Sequence, residues 1–331
     1  MPATAKNCSL SRRLASTKLP RAERVDAGLS LGGGAQVTIS SDETSPSRRA
    51  FLRHSAGMLL MSGLGGSLLS ACGGGNLSAD QPPTPRVASV ANFRDVAGAA
   101  AGYPTVDGKQ MRRGAFYRAN TLTLNAADAA TLGKLAIATV YDLRTPGEMA
   151  RTADVLPVGA SLATYNVLGA NDFVAPVFDT ADAAAAFMEA QARAYVTGAA
   201  QRAGYGALLT HLAAGAGAQL FHSSAGKDRA GWVAALLLSI ANVPLDVITQ
   251  DYLLSNVYLA QSIETQIETL RAQDGDAVAT VDTPLLNVQE SYLQAGFEQV
   301  QASYGTMTAY LTQGLGLTQA TIDLLRSRLV V

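Results

Sequence analysis

The feature that most constrains the fold is a short polar loop enclosed by a strand and an apolar helix. Gln219–His222 has the pattern of a short strand, and Gly231–Ile240 (GWVAALLLSI) is apolar almost all round, as expected of a buried central helix. The polar residues Ser223–Arg229 connect the two. A strand, a glycine-containing loop and a buried helix in this order predict an α/β fold. We expect a central, mostly parallel sheet flanked by helices.

The composition of the loop predicts an anion site. Residues 221–231 read FHSSAGKDRAG, and such a loop can turn successive backbone N–H groups inward while the following helix adds its positive N-terminal end. A nucleoside-triphosphate loop is excluded, because Asp228 follows Lys227 where that motif has Ser or Thr. Arg229 can contact two oxygens of one phosphate. The candidate phosphate-binding residues are Ser224, Ala225, Gly226, Lys227 and Arg229.

Further elements follow from hydrophobic periodicity. We predict strands at Val87–Val90, Gly114–Tyr117, Ile137–Tyr141 and Leu162–Val167, and helices at Asn125–Leu135, 181–213, 245–273 and 287–329. Asn125 is a suitable N-cap, and Asp107-Gly108 is typical of a hairpin turn. Trp232, directly after the loop, is expected in the core. The sequence leaves open whether residues 181–213 close over the loop as a lid.

The net charge of −1 averages two unlike parts of the 331 residues. Residues 1–71 carry 9 basic and 4 acidic side chains, whereas residues 72–331 carry 16 and 22. With 48% hydrophobic and 15% charged residues, an intrinsically disordered chain and a basic nucleic-acid binder are both excluded. Cys8 and Cys72 are the two cysteines, which excludes a disulfide framework or cysteine metal site in the body. We expect neither a metal nor a cofactor.

The basic N-terminal part has the pattern of an export signal. Arg48 and Arg49, followed by Phe51-Leu52, resemble the twin-arginine signal of bacteria. The apolar run from Ala56 to Ala71 is short and interrupted by glycines, which suits a signal peptide better than a membrane span. Leu69-Ser70-Ala71-Cys72 resembles a lipobox, in which the cysteine receives a lipid. The alternative is a buried helix with a chance cysteine.

This pattern divides the chain into three parts. Residues 1–71 are predicted to be a twin-arginine lipoprotein signal peptide with an unusually long n-region, and residues 1–46 have no physical explanation. Residues 72–86 are rich in Gly, Ser and Pro and are expected to form a flexible tether. Residues 87–331 are predicted to form the folded domain that carries the polar loop. The predicted location is the periplasm or cell surface, with Cys72 anchored in a membrane.

The loop also resembles the H-C-x-x-G-K-D-R-[ST]-G signature of bacterial secreted tyrosine phosphatases, relatives of the dual-specificity and phosphoinositide phosphatases. Four more segments match that family in the correct order. They are Asn92-Phe93-Arg94-Asp95, Gly114–Arg118 (GAFYR), Asp142-Leu143-Arg144 with Glu148, and Asp251–Asn256 (DYLLSN). The resemblance implies a protein tyrosine phosphatase-like fold. There are departures: Ala97 replaces a Gly, Ala230 replaces Thr or Ser, and Ser223 replaces the nucleophilic Cys.

The serine is the most consequential departure. In the family a thiolate attacks phosphorus, and the free thiol pKa of about 8.5 falls beside a helix N-terminus and an arginine. The same surroundings cannot ionise a serine hydroxyl near neutral pH. We therefore interpret Ser223 as a phosphate contact at the nucleophile position and expect little or no turnover. Two origins fit, a deliberate trapping substitution or a natural pseudophosphatase, and the otherwise intact loop favours the first.

The resemblance also suggests roles for the other loop residues. Asp228 corresponds to the loop aspartate proposed as general acid in this subgroup, and its alternative role is to pair with Arg94 or Arg144. Arg229 is the expected phosphate-binding arginine. Lys227 is either a second cation for an acidic head group or a solvated side chain.

Four neighbours complete the predicted site. Asp142 ends a predicted strand, where such a residue is more often structural, although the strand edge directs it toward the loop. Arg94 and Asp95 are expected to support the loop. His222 directly precedes Ser223, and on a strand its side chain would face the opposite side, so a proton relay is not expected.

These observations predict a phosphatase that acts on phosphotyrosine, phosphoserine or other phosphomonoesters of proteins. One alternative keeps the fold and changes the substrate to phosphoinositides, which Lys227 beside Arg229 would permit. The second is a non-catalytic module that binds phosphorylated ligands, which Ser223 would favour. A match at the level of the fold cannot separate these three.

Overall fold

The computed structural model describes residues 84–331. The predicted twin-arginine signal, the lipidated Cys72 and nearly all of the tether lie outside these residues. Within them, every helix is too short or too polar to cross a membrane.

A five-stranded sheet forms the centre of the described residues. Its strands are β1 (Arg94–Asp95), β2 (Phe116–Ala119), β3 (Ile137–Asp142), β4 (Ser161–Thr164) and β5 (Ala218–His222). They lie side by side in the order β1-β2-β5-β3-β4. The edge strand β1 pairs antiparallel with β2, and all other neighbours are parallel. The prediction of an α/β fold with a mostly parallel sheet is therefore confirmed.

The register of the sheet aligns the ends of its three central strands. His222 pairs with Ala119 on one side and with Asp142 on the other. Because parallel strands end at the same edge, the residues that follow β2, β3 and β5 meet there. This edge carries the polar loop that begins at Ser223.

Within residues 84–331, twelve helical segments, one of them a π-helical turn, follow or connect these strands. The first five are α1 (Ala126–Gly133), α2 (Pro146–Arg151), α3 (Ala181–Thr197), α4 (Ala199–Ala214) and α5 (Arg229–Ile240). The next four are α6 (Leu245–Tyr258), α7 (Ala260–Asp274), α8 (Asp276–Leu286) and α9 (Glu290–Tyr304). A short turn, α10 (Met307–Ala309), continues into a π-helical turn (Tyr310–Gly314). The last helix is α11 (Gln319–Leu329).

The alternation of strand side chains divides the core between the two faces of the sheet. Tyr141 and Phe221 belong to a large cluster that surrounds α5, whereas Val140 and Leu220 belong to a smaller one on the other face. Helix α5 is buried along almost its whole length. Trp232 lies in the large cluster, as predicted, and its ring centroid is 5.6 Å from that of Phe297.

Several predicted elements differ from the structure. Val87–Val90 is not a strand: both valines are buried, but the backbone forms turns. The burial of these apolar side chains, rather than strand pairing, explains their pattern. Asn125 caps α1 as predicted by accepting a hydrogen bond from Asp128 N. The long helix predicted over 245–273 divides at Leu259.

Candidate functional site

The predicted loop joins β5 to the first turn of α5 at the polar edge of the sheet. Gly226 takes a left-handed conformation, with φ of 68°. A Cβ atom at this position would lie 2.2 Å from the carbonyl oxygen of Ala119, so the loop can approach β2 this closely only with glycine. Ser223 is buried at the start of the loop, directly after β5.

Donors outside the loop hold three consecutive loop carbonyls. Thr121 N donates to Ser224 O at 3.1 Å, and Asn92 Nδ2 donates to Ala225 O at 3.0 Å. Arg118 Nη2 donates to Gly226 O at 2.8 Å.

In a trans peptide the carbonyl of one residue and the N–H of the next point in opposite directions. The N–H groups of Ala225, Gly226 and Lys227 therefore point away from these outside donors and toward the interior of the loop. The N-terminus of α5 adds its positive end to the same space. N–H groups that face inward beside a helix N-terminus are the arrangement that an anion cradle requires.

Arg229 lies at the rim of this cradle and is held by Glu148. Its Nη1 and Nη2 atoms each lie 2.7 Å from a different oxygen of the Glu148 carboxylate. Glu148 also completes the capping box of α2, because its Oε2 accepts from Thr145 N at 2.9 Å. Arg229 Nη2 further donates to Ser224 Oγ at 3.3 Å, and that hydroxyl donates to Glu148.

The pair alters the titration of both partners. Burial acts to raise the pKa of Glu148, but the hydrogen bonds and charge of Arg229 outweigh it and lower the pKa to about 2. Burial likewise acts to lower the pKa of Arg229, and Glu148 reverses that effect and raises it. Glu148 therefore holds Arg229 charged and oriented. Glu148 belongs to a segment that resembles a family motif, but no pattern in the sequence places it in the site, because the T-x-x-E pattern of Thr145 and Glu148 marks only a helix start.

Lys227 and Asp228 form an ion pair with each other. Lys227 Nζ lies 2.9 Å from Asp228 Oδ2 and also donates to the carbonyl oxygen of Asn287 at 3.1 Å. Lys227 is buried, so it is not the solvated side chain considered from the sequence. The alternative pairing of Asp228 is also wrong, since Arg94 and Arg144 form ion pairs with other aspartates.

Beside Ser223, where β3 and β5 end, lies a cluster of four buried charged or titratable side chains. Arg144 Nη2 lies 2.9 Å from both Asp142 Oδ2 and Asp154 Oδ2, and His222 Nε2 lies 3.0 Å from Asp154 Oδ2. Burial acts to raise the pKa of Asp154, but the hydrogen bond with His222 and the charge of Arg144 outweigh it and lower the pKa. Asp142 thus anchors Arg144. No local pattern in the sequence indicated Asp154.

Three members of this cluster have the residue types of a metal site. Ligand atoms of Asp142, Asp154 and His222 lie within 4.8 Å of one another, and within residues 84–331 no other such group occurs. However, the guanidinium of Arg144 bonds to both carboxylates, so a cation already occupies the position between them. The cluster is therefore better described as an ion-pair network than as a metal site.

Arg94 and Asp95 are adjacent in sequence but have different environments. Arg94 donates to the side chain of Asn92, which holds the loop, and its Nη2 donates to Ser255 Oγ at 3.0 Å. The Asp95 carboxylate instead accepts from Ala97 N at 2.9 Å and from Gly114 N at 2.7 Å. Asp95 thus stabilises the antiparallel edge of the sheet and does not contact the loop, contrary to the expected supporting role. Burial raises its pKa to about 6.

A cleft with a volume of about 70 Å³ opens in front of Arg229 and Asp228. We call it the front cleft; its apolar walls are Leu168, Phe173, Phe187, Met188, Tyr195 and Leu285. The Arg229 guanidinium carbon lies 5.9 Å from the centroid of the Phe173 ring. Of the two helices in residues 181–213, α3 lines this cleft, whereas α4 packs into the core.

Comparisons with known proteins show which family the described part of the chain resembles. The sequence model of the tyrosine phosphatase family matches residues 85–331. A protein of Cupriavidus necator named as a tyrosine-protein phosphatase is 32% identical over 69% of this chain and 82% of its own length. The triple specificity protein phosphatase PtpB of Mycobacterium tuberculosis is 32% identical over 72% of this chain and 96% of its own length.

Proposed function

We propose, since this chain belongs to the tyrosine phosphatase family, that the loop from Ser223 to Arg229 binds the phosphate of phosphomonoesters and that aryl phosphates such as phosphotyrosine are its preferred ligands. The observation that carries the proposal is the cradle itself. Three loop carbonyls are held from outside, which frees the opposite N–H groups, and Glu148 holds Arg229 at the rim.

The family's chemistry suggests a role for three positions of the loop, namely position 223, Asp228 and Arg229. A cysteine thiolate at position 223 would attack phosphorus, so that an S–P bond forms while the bond to the leaving oxygen breaks. Asp228 would supply the proton to that oxygen, and water would then cleave the S–P bond. Arg229 would bind two equatorial phosphate oxygens throughout. With Ser223 in this position, a neutral hydroxyl replaces the thiolate, and we expect binding with little or no turnover.

The preference for an aryl group rests on the front cleft. Phe173, Phe187 and Tyr195 line it, and an aromatic ring attached to the bound phosphate would be in contact with apolar walls. A phosphoinositide would require a further cation. Lys227 is the residue that permitted this alternative, but its charge is paired with Asp228 and it is bonded to Asn287 O.

The second candidate is a phosphatase with a wider substrate range. It is supported by the words triple specificity in the name of the Mycobacterium tuberculosis relative. Phosphoserine peptides and phosphoinositides would then bind as well as phosphotyrosine. A non-catalytic binding module is the third candidate, and Ser223 favours it.

Calorimetry distinguishes the first two candidates. Inorganic phosphate, a phosphotyrosine peptide, the matched phosphoserine peptide and a soluble inositol phosphate are titrated into the protein. We expect phosphotyrosine to bind most tightly. Arg229→Ala should weaken phosphate binding by roughly 1.5–3 kcal/mol because it removes a charge-assisted bidentate contact. Arg326→Ala is the matched control, because Arg326 forms an exposed ion pair with Asp107. Equal phosphate affinity of the Arg229→Ala variant and the parent protein would exclude the loop as the binding site.

We further propose that the protein is exported and anchored in a membrane by a lipid on Cys72, with the domain in the periplasm or at the cell surface. The proposal rests on Arg48, Arg49 and the Leu69–Cys72 lipobox. Cys72→Ala should abolish partitioning into detergent, and replacement of both arginines by lysine should stop export. Unchanged detergent partitioning of Cys72→Ala would contradict the anchor.

A further inference from the structure

Behind the phosphate-binding loop lies a buried set of polar side chains that the family chemistry does not use. We call Asn92, Arg94, Arg118, Asp251 and Ser255 the rear network. All five are buried, and Arg118 and Ser255 have no exposed surface. They come from the segment before β1, from β1 and β2, and from α6.

Two chains of contacts lead from α6 to the loop. In the first, Asp251 Oδ2 accepts from Arg118 Nη1 at 3.1 Å, and Arg118 Nη2 donates to Gly226 O at 2.8 Å. In the second, the backbone oxygen of Asp251 accepts from Arg94 Nη2 at 3.2 Å, and Arg94 donates to Asn92. Asn92 Nδ2 then holds Ala225 O. Both chains begin at Asp251 and end at adjacent loop carbonyls.

A buried ion pair is an expensive way to stabilise a fold. Desolvation of the two charges offsets much of their attraction, and apolar side chains of similar volume often stabilise a protein as well or better. The pair of Arg118 and Asp251 nevertheless occupies a fully buried position. Its distinguishing feature is the guanidinium, which also bonds to loop carbonyls: Lys227 O lies 3.4 Å from Arg118 Nη2. An apolar pair could fill the volume but could not make these hydrogen bonds.

We propose that Asp251 and Arg118 are positioning residues of the phosphate site: Asp251 orients Arg118, and Arg118 holds the Gly226 and Lys227 carbonyls so that the N–H groups of Lys227 and Asp228 face the bound phosphate. Asp251 reinforces this through Arg94 and Asn92. The inference rests on the proposed function, because it concerns the same phosphate site.

The test separates positioning from stability. Arg118→Met and Asp251→Leu are made singly and together, and inorganic phosphate is titrated calorimetrically at a temperature where circular dichroism shows each variant to be folded. Each single variant should melt at a lower temperature: Arg118→Met leaves Asp251 paired with Arg94 alone, and Asp251→Leu leaves both buried arginines without a carboxylate. The double variant leaves only Arg94 unpaired and should therefore melt above Asp251→Leu, but it should bind phosphate at least about tenfold more weakly than the parent protein, because Arg118 no longer holds Gly226 O. The double variant Arg326→Met/Asp107→Leu removes an exposed ion pair and should bind phosphate normally.

Amide hydrogen exchange across residues 223–231 provides a readout that needs no ligand. In the Arg118→Met/Asp251→Leu variant, exchange in this segment should rise selectively, while α5 beyond its first turn keeps its protection. A double variant with parental phosphate affinity and parental loop exchange would overturn the proposal. If the parent protein binds no phosphate but the double variant still shows faster loop exchange, the proposed function fails and the positioning role stands.

Discussion

The two sides of the phosphate-binding loop are built from opposite kinds of residue. Behind it, the rear network places two arginines, an aspartate, an asparagine and a serine out of contact with water. In front of Asp228 and Arg229, the front cleft has aromatic and aliphatic walls. The rear network is joined to the loop carbonyls by hydrogen bonds, whereas Asp228 and Arg229 border an open cleft.

This difference shows how one short loop can be both rigid and available. A backbone that must present several N–H groups to a ligand has to turn its carbonyls the other way, and those carbonyls need donors. Asn92 and Arg118 supply these donors, so the orientation of the loop is set before any ligand arrives. In the proposed function, Phe173 and the other walls of the front cleft would contact the group attached to the phosphate. On this proposal, the residues behind the loop set its geometry and the residues in front of it select the ligand.

The largest expected effect comes from position 223, where the two sides meet. Ser223→Cys should turn a binding site into a catalyst of p-nitrophenyl phosphate hydrolysis, because the loop amides, the helix N-terminus and Arg229 already favour a thiolate. The activity should resist chelators and be lost on alkylation, since residues after Cys72 contain no other cysteine.

Ser224→Cys is the matched control for this change, because it places a thiol one residue away, against Glu148, and should remain inactive. In the Ser223→Cys background, Asp228→Asn should slow the hydrolysis of esters with poor leaving groups most. A Ser223→Cys protein that folds and binds phosphate but hydrolyses nothing would contradict the catalytic assignment of the loop and favour a binding module.

The next largest effect is expected at Glu148, which anchors the rim of the cradle. Glu148→Gln removes the charge that orients Arg229 and should weaken phosphate binding about tenfold. Glu148→Asp, which keeps the charge on a shorter side chain, should recover part of the affinity. Calorimetry with inorganic phosphate measures both. Unchanged affinity in Glu148→Gln would show that Arg229 is oriented by other contacts.

The lowered pKa of the Glu148 carboxylate predicts that the free energy of unfolding depends on pH. Its pKa of about 2 in the folded protein lies below its ordinary value of 4.5, so the stabilisation is present above pH 4.5 and lost as the pH falls toward 2. The parent protein should therefore lose on the order of 2 kcal/mol more unfolding free energy over this range than Glu148→Gln does. Urea unfolding at several pH values measures the difference, and parallel curves for the two proteins would exclude it.

A smaller and more selective effect is expected in the front cleft. Phe173→Ala should weaken binding of a phosphotyrosine peptide by a few-fold, because it removes an apolar wall, and should leave the affinity for inorganic phosphate nearly unchanged. Phe178→Ala is the control, since Phe178 packs on Phe187 but is not among the residues that line the cleft. Equal losses for the peptide and for inorganic phosphate would mean that Phe173 supports Arg229 and does not select the ligand.

The smallest effect on the site is expected from Asp95, which was predicted to support the loop. Asp95→Asn should leave phosphate affinity unchanged, because the carboxylate bonds to Ala97 N and Gly114 N. Stability should respond instead. The folded pKa of about 6 lies above the ordinary 3.8, so the folded state retains the proton longer and loses stability as the pH rises from 3.8 through 6. Asp95→Asn should remove this decline in urea titrations, and a drop in phosphate affinity would place Asp95 in the rear network.

Features of the fold and the site that depend on neighbours along the chain can be predicted from the sequence alone. The strand Gln219–His222, the loop and the buried helix after it form one continuous segment, and their order already indicates an anion site. The N-cap of α1 at Asn125 is likewise a local contact, made to Asp128 three residues away. The strand predicted at Val87–Val90 is wrong because a buried apolar run has the same composition whether or not its backbone pairs with a strand.

The distant residues that complete the site are identified only by the folded structure. Glu148 reaches Arg229 across 81 positions, and Asp251 reaches Arg118 across 133. Each pairing depends on the register of β2, β3 and β5 and on where α2 and α6 pack, and none of these is set by the residue types alone. The type of a charged side chain determines which partners it can bond to, but the folded backbone determines which of these partners lies within hydrogen-bonding distance.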